Sequence, residues 1–216
     1  MKKVLRATVF LILCMALTTQ AGIIISEVMP DSSHDKDVTN DNGDWFEITN
    51  TGSNAVDLSG WSWVDDKDSH DKLAFPAVTI AAGESIICLE ESSADDWLSS
   101  WDLSNSGITV LTEDNFTDSS GENDFHGLGT DGDTVFIYDG NSNLVDFFSW
   151  TDASEGISID VYNGGVNSQV CVNGAWASDD VDVAGNCDDI ASPGVVPEPC
   201  SLALIGLGVA LLRRRK

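Results

Sequence analysis

Carboxylate side chains are the most abundant chemically active groups in this chain, and they cluster in loops. Flexible acidic loops can supply the roughly six to eight oxygen ligands that calcium takes. Neither cluster has the spacing of an EF-hand, so calcium binding is a hypothesis that stands beside the general acidity of proteins from salty environments. The first cluster holds Asp31, Asp35, Asp37, Asp41 and Asp44, and the second holds Asp65, Asp66, Asp68 and Asp71.

The three histidines, His34, His70 and His126, lie in three different acidic loops. A metal site would need two or more of them to converge, and no pair has the H-x-x-x-H spacing or a related one. The sequence therefore predicts solvated loop histidines and identifies no set of metal ligands.

Hydrolytic chemistry has no recognisable constellation in the sequence. The chain contains neither a Gly-x-Ser-x-Gly elbow nor a nucleophile with an evident base. Pairs of acids carry no weight here, because so many aspartates in polar loops make chance pairs inevitable. We therefore expect a non-enzymatic protein that needs no cofactor, with calcium left open.

The seven tryptophans are a stronger signal, because aromatic faces on a β-sheet can stack on sugar rings as well as fill a core. Trp97 and Trp101 lie one helical turn apart and are expected to dock a helix onto a sheet. Trp63, Trp150 and Trp176 are less constrained by the pattern. These three are the predicted platform for a carbohydrate, with core packing as the simpler alternative.

The charge balance excludes one class of partner. The region from Glu27 to Glu198 holds all 36 acidic residues against three lysines, which gives a formal charge of about −33. Such a surface repels phosphate backbones and anionic lipid. The sequence therefore predicts no nucleic-acid partner.

The N-terminal residues 1–21 have the pattern of a secretory signal peptide. Lys2, Lys3 and Arg6 precede an apolar stretch that ends at Leu17, and Thr19-Gln20-Ala21 fits a small-residue cleavage site. We expect an exported chain whose mature part begins at Gly22. In an exported protein, Cys171 and Cys187, which flank a polar loop, are the predicted disulfide.

The C-terminal residues 195–216 combine Pro197-Glu198-Pro199, an apolar segment at 200–212 and a basic end. A helix over that segment would be roughly 20 Å long, short of the ~30 Å hydrocarbon core, and the basic end would stay in the cytoplasm. This tail resembles the PEP-CTERM sorting signal of Gram-negative bacteria. The resemblance implies an exosortase-type processing enzyme and the membrane as partners, and a place in the cell envelope, at the cell surface or in the extracellular matrix.

Between these ends, short apolar runs alternate with clusters of Asp, Asn, Ser and Gly, which is typical of an all-β sandwich. Ser93-Ala94-Asp95-Asp96 resembles a capping box and predicts one short helix. Asp139-Gly140-Asn141 predicts a hairpin turn. Strands are predicted near 23–28, 45–50, 60–64, 78–80, 85–89, 108–111, 134–138, 145–150 and 157–162.

Three blocks carry a family resemblance: Ile23-Ile24-Ile25-Ser26-Glu27-Val28, then Gly43-Asp44-Trp45-Phe46-Glu47-Ile48-Thr49-Asn50-Thr51-Gly52, then Asp57-Leu58-Ser59-Gly60-Trp61. In this order they resemble the lamin-tail domain, an immunoglobulin-like β-sandwich of nuclear lamins and many bacterial surface proteins. Weaker blocks follow up to Ser192-Pro193-Gly194. The resemblance implies one such domain over 22–194, with 112–127 as an insertion.

The expected function follows from the tail and the domain together. It is a non-enzymatic exported surface protein with a binding or structural role in the envelope or extracellular matrix, whose partner is a polysaccharide or an envelope protein. The alternative is a carbohydrate-binding or calcium-dependent adhesin.

Overall fold

Short strands joined by polar turns make up most of the structure, a computed structural model that describes residues 22–33, 43–65, 71–179 and 189–195. One helix, α1 (Ala94–Ser100), and one 3₁₀ turn, Glu113–Asn115, interrupt them. The strands are β1 (Ile23–Met29), β2 (Trp45–Asn50), β3 (Val56–Asp57), β4 (Ser62–Val64), β5 (Leu73–Ala74), β6 (Thr79–Ile80), β7 (Ser85–Leu89), β8 (Thr109–Leu111), β9 (Asp133–Tyr138), β10 (Leu144–Trp150), β11 (Ile159–Asp160), β12 (Val166–Asn167), β13 (Trp176–Ala177) and β14 (Ile190–Ala191).

Two main sheets form the sandwich. The larger has six strands in the order β12-β11-β1-β2-β7-β8, and the smaller has four in the order β10-β9-β4-β5. Neighbouring strands are antiparallel except for β7 and β8, which are parallel. Two short pairs, β3-β6 and β13-β14, complete the arrangement. The prediction of an all-β sandwich with one short helix is confirmed.

The first core lies between the two sheets. Phe46 and Ile48 project from one face of β2, because alternate residues of a strand share a face. Trp63 of β4 meets them from the opposite sheet, with its ring 4.9 Å from that of Phe46. Removing this apolar surface from water is the main stabilising term of the fold.

A second core covers the other face of the six-stranded sheet. Trp45 projects from β2 on that side, and its ring lies 5.6 Å from Trp97 and 6.2 Å from Trp101 of α1. The helix begins where the sequence predicts, because the Ser93 side chain accepts a hydrogen bond from the backbone N–H of Asp96. The six residues of β2 are therefore buried on both faces.

The segment 112–127 contributes side chains to the first core. Its interpretation as an insertion relative to the family stays a prediction. Phe116 is fully buried and Phe125 is 6% exposed. Their ring centroids lie 5.6 Å and 4.7 Å from that of Trp63. A stretch rich in Asp, Ser and Asn thus contributes two aromatic anchors, and its polar residues lie between them at the surface.

Two turns set the strand geometry. Gly60 has φ +80° in the turn before β4, and residues with a Cβ rarely adopt this conformation. The hairpin between β9 and β10 is where the sequence predicts it. There, however, the positive φ of 61° falls on Ser142, while the Asp139 carboxylate accepts hydrogen bonds from the backbone N–H groups of Asn141 and Asn143.

Among the residues that the structure describes, no helix is long and apolar enough to cross a membrane. The predicted signal peptide at 1–21 and the predicted membrane segment at 200–212 lie outside those residues. Both stay predictions.

The place of 112–127 in the core gives a first test. We expect Phe116→Ala to lower the free energy of unfolding by about 3 to 5 kcal/mol, because it removes a fully buried ring and leaves a cavity. Urea denaturation followed by tryptophan fluorescence measures the change. The matched control is Phe147→Ala, whose ring is 55% exposed and which should cost less than about 1 kcal/mol. Equal effects of the two substitutions would contradict the contribution of 112–127 to the core.

Candidate functional site

Two glutamates face each other in the interior of the protein. Glu27 of β1 and Glu47 of β2 are direct partners in the antiparallel register. They are 2% and 1% exposed. Buried carboxylates are rare unless they are paired or hydrogen-bonded, so their surroundings decide what they do.

A β-bulge places Glu27 on this face. The register of β1 against β2 shifts between Ile25 and Glu27, so that one extra residue is accommodated there. Without the shift, Glu27 would lie on the same face as Ile23 and Ile25, inside the apolar core. With it, Val28 returns to that core and Glu27 projects from the opposite face beside Glu47.

Hydroxyl and backbone N–H donors surround the Glu27 carboxylate. Oε1 accepts hydrogen bonds from the hydroxyls of Ser158 and Ser168 and, at 2.9 Å, from the backbone N–H of Ser192. Oε2 accepts from the Ser192 hydroxyl at 3.0 Å. The serine hydroxyls among these groups can donate or accept, so they can serve both the carboxylate and the protonated acid.

The Glu47 carboxylate has a matching set of donors. Its Oε1 accepts from the Ser26 hydroxyl at 2.5 Å and from the Thr49 hydroxyl at 3.2 Å, and its Oε2 accepts from the backbone N–H of Gly194. The Thr49 hydroxyl also lies 2.6 Å from that of Ser85. A continuous polar network therefore runs across β1, β2 and β7.

Burial raises the pKa of both acids. For Glu27, removal from water and the facing Glu47 carboxylate raise the pKa to about 7, against the smaller lowering effect of the Ser158 and Ser192 hydrogen bonds. Burial likewise raises the pKa of Glu47. Because two adjacent carboxylates do not ionise independently, the two acids titrate as a coupled pair.

The donors from Ser192 and Gly194 belong to one segment, residues 189–195, which we call the strap. A third acid fixes its start: Asp189 accepts hydrogen bonds from the Ser32 hydroxyl at 2.6 Å and from the Ser33 backbone N–H at 2.9 Å. Ala191 packs into the second core. The buried acids thus hold the strap onto the outer face of the six-stranded sheet.

The same geometry disfavours a cation at this place. Backbone N–H groups point at both carboxylates, and a positive ion would have to displace them. Within the described ranges, no group of three or more His, Cys, Asp or Glu side chains could hold a metal ion. Much of both acidic loops lies outside those ranges, at 34–42 and 66–70, so the calcium hypothesis stays a prediction.

His126 differs from the prediction of a solvated loop histidine. Its side chain is 9% exposed, its Nδ1 lies 3.2 Å from Oδ1 of Asp65, and its Nε2 lies 3.7 Å from Oδ2 of Asp124. Its ring also packs near that of Trp63, with centroids 5.9 Å apart. The histidine therefore ties the 124–128 region to the end of β4. His34 and His70 lie outside the described residues.

The predicted tryptophan platform is wrong for two of its three members. Trp63 is fully buried, because β4 turns it towards Phe46 and Phe125 in the first core. Trp150 is 7% exposed, and its indole N–H donates to the carbonyl of Gly129 at 2.8 Å. Trp176 is half-buried against Trp101, with centroids 5.8 Å apart.

The remaining predicted site residues are only partly described. Cys171 is exposed, whereas Cys187 lies outside the described residues, so their disulfide stays a prediction. Pro197, Glu198 and Pro199 also lie outside them, and the strap ends two residues before Pro197.

A different aromatic surface is present, which the sequence analysis missed. Val135 and Ile137 of β9 are fully buried, so the alternate residues of that strand face outward, together with their partners on β10. We call this surface the aromatic face. Its members on β9 and β10 are Thr134, Phe136, Tyr138, Leu144, Phe147 and Ser149.

Three rings on the aromatic face lie next to one another in the order Phe147, Phe136, Tyr138, and we call them the row. The Phe136 ring lies 5.8 Å from that of Phe147, with 17° between their planes, and 6.5 Å from that of Tyr138, with 28° between them. Phe147 is 55% exposed and Leu144 is 48% exposed. The Lys72 ammonium lies 3.3 Å from the centroid of Tyr138. The sequence signal available for this surface was the alternation of aliphatic Val135 and Ile137 with aromatic Phe136 and Tyr138.

The pKa of Glu27 leads to a prediction about pH. Because its pKa in the folded state is raised above the ordinary 4.5, its contribution to stability is fully present below pH 4.5 and is lost as the pH rises through about 7. We expect the free energy of unfolding to fall by about 2 to 3 kcal/mol between pH 5 and pH 8. Urea denaturation at a series of pH values measures it.

The substitution Glu27→Gln identifies the group responsible. The neutral amide should remove most of that decrease, while Glu122→Gln, at an exposed carboxylate, should leave it unchanged. The hydrogen bonds that lower the pKa of Asp57, Asp118 and Asp139 affect stability only at more acidic pH. A decrease of the same size in Glu27→Gln would assign the effect to other groups.

Comparison with known proteins supplies a family. No curated protein matches the chain. The model of the lamin tail domain, a non-catalytic immunoglobulin-like domain family, matches residues 17–152, which is more than half of the 216 residues. This match covers the sandwich from β1 to β10, including the bulged strand of Glu27, the strand of Glu47 and the aromatic face. The chain therefore belongs to the lamin tail domain family.

Proposed function

We propose that this protein is an exported, non-enzymatic surface module with a binding or structural role in the cell envelope or extracellular matrix. In this proposal the tail at 195–216 is a sorting signal that an exosortase-type enzyme processes at the membrane. The domain is the part that remains outside the cytoplasm and meets a polysaccharide or an envelope protein.

The observation that carries the proposal is the attachment of the strap. Its last described residue, Val195, lies two residues before Pro197 in the sequence. The buried acids hold the backbone N–H groups of Ser192 and Gly194 just upstream of the tail. A processing enzyme bound at the Pro-Glu-Pro motif would therefore work directly beside a folded domain.

The burial and hydrogen bonding of Glu27 and Glu47 support a non-enzymatic role. A pair of facing carboxylates with raised pKa values is often a catalytic device. Here both carboxylates are 2% exposed or less, and strap donors and hydroxyls occupy their oxygens. A substrate would have to remove the strap before it reached either one. The pair therefore serves the fold.

A carbohydrate-binding adhesin is the second candidate. The aromatic face favours it, because it offers an exposed ring and outward hydroxyls on one side of a sheet. For the calcium-dependent form of this candidate, no comparable group of ligands is present in the described part of the chain.

Deletion of residues 196–216 tests the sorting proposal. In a Gram-negative host that has an exosortase-type enzyme, we expect the full chain in the envelope fraction and the deleted chain in the soluble exported fraction. Immunoblots of cell fractions with an antibody against the domain measure this. The matched control, Glu122→Gln in an exposed loop, should fractionate like the full chain.

Equal envelope fractions for the full and deleted chains would contradict the sorting role of the tail. Retention of both chains in the cytoplasm would contradict export itself. Substitution of Pro197, Glu198 and Pro199 by alanine in the full chain removes the motif and keeps the apolar segment. This variant therefore shows whether sorting depends on the motif or on the segment alone.

A further inference from the structure

We infer that the aromatic face binds an uncharged polysaccharide. The inference rests on the proposed function and gives its binding role a ligand class. It assigns the contact to Phe147 and Leu144, with Tyr138 and its lysine at one end of the row.

The aromatic face is exposed although its largest members are apolar. A ring on a sheet buries its surface against the core when alternation directs it inward, as Trp63 does. Phe147 is instead 55% exposed and Leu144 is 48% exposed, and they lie on β10 on either side of a shift in its register against β9. Large apolar side chains grouped on an exposed surface mark an interaction site.

The shape and chemistry of the aromatic face also suit a sugar chain. The ring planes of Phe136 and Phe147 differ by only 17°, so the two rings lie nearly parallel on neighbouring strands. The hydroxyls of Thr134 and Ser149, 2.8 Å apart, lie next to them. Extended sugar chains present apolar C–H faces bordered by hydroxyl groups, which complement apolar rings bordered by hydroxyl groups.

The aromatic face differs in charge from the rest of the domain. None of the outward residues of β9 and β10 is acidic, although the region from Glu27 to Glu198 has a formal charge of about −33. The acids of these strands are turned away: Asp146, for example, accepts a hydrogen bond from the Ile25 backbone N–H at 2.8 Å. Among the described residues, Lys72, one of three lysines in that region, places its positive charge over the Tyr138 ring.

These charges select among occupants. An anionic polymer is repelled by the domain as a whole, and a second copy of the chain is repelled for the same reason. A basic protein would be drawn to the carboxylates elsewhere rather than to the face that lacks them. An uncharged polymer is neither repelled by the domain nor drawn to carboxylates elsewhere. It can cover the aromatic face without removing water from carboxylates.

The aromatic face and the strap occupy different sides of the sandwich. The strap lies on the outer side of the six-stranded sheet, where Ser192 and Gly194 meet the buried acids. The aromatic face is the outer side of the four-stranded sheet. The two therefore lie on opposite sides of the sandwich, so a chain attached through its C-terminus keeps the aromatic face available.

Pelleting with insoluble polysaccharides tests the inference. The full chain, purified in a detergent without a sugar headgroup, is mixed with amorphous cellulose, chitin or insoluble starch, and the bound fraction gives a Kd. We expect binding to at least one of them and a loss of roughly tenfold or more in affinity for Phe147→Ala and for Leu144→Ser. Phe147→Trp should retain binding.

The matched control is Tyr162→Ala. Tyr162 is 46% exposed but follows β11 in the other sheet, so its loss should leave the affinity unchanged. Equal thermal unfolding of each variant and the wild type shows that a lost affinity is not lost folding. Dextran sulfate in excess serves as the anionic competitor and should not displace the bound protein.

Three results would overturn the inference. They are no binding to any of the three polysaccharides, undiminished binding by Phe147→Ala, and concentration-dependent dimerisation of the wild type in sedimentation velocity that Phe147→Ala abolishes. Each of them leaves the outcome of the fractionation experiment unaffected, so the failure of this inference and the failure of the sorting proposal are distinguishable.

Discussion

Burial of the central strands on both faces is the constraint on which the rest of the structure depends. Every residue of β2 is buried, and β1 beside it is nearly so. A strand with two buried faces needs a cover on each side. The four-stranded sheet covers one face, and the other receives α1, with its two tryptophans, and the strap. The helix and the strap are therefore integral parts of this sandwich.

The two covers of the outer face work by different interactions. Around Trp45 the contact is aromatic and non-directional, so Trp97 and Trp101 adapt to it through edge-to-face packing. Around Glu27 and Glu47 the contact is directional, because each carboxylate requires donors at defined positions. Gly194 supplies one from a backbone with φ +75°, where a Cβ would lie 2.9 Å from the Ile108 side chain. Acids and glycine together specify one register for the strap.

The sequence predicts the elements of this fold better than their roles. The longer strands and α1 were predictable because alternation, turn residues and a capping serine are local signals. The short strands β3, β5, β12, β13 and β14 were missed, because two residues carry no periodicity. Phe116 and Phe125 were missed as core residues because the polar residues between them hide a contact that only the tertiary fold creates. Likewise, nothing local shows that Glu27 is buried, since a bulge in β1 determines its face.

The candidate surfaces show the same division between composition and position. Tryptophan was the residue type expected on a ligand platform, yet its large apolar surface directs Trp63 and Trp150 into the core. The exposed aromatic surface consists instead of phenylalanine and tyrosine on β9 and β10, where the alternation of Val135 and Ile137 leaves them outside.

The layers of the sandwich then separate two tasks. Proceeding from one side to the other, the order is strap and helix, six-stranded sheet, first core, four-stranded sheet and aromatic face. The hydrogen bonds that fix the end of the domain lie on one side of that stack, and the acid-free apolar surface lies on the other. Both sheets, which pack about 10 Å apart, lie between these two surfaces. The sandwich itself therefore keeps the surfaces apart, and no linker is needed. A domain held at its C-terminus can thus bind on its far side while the strap stays in place.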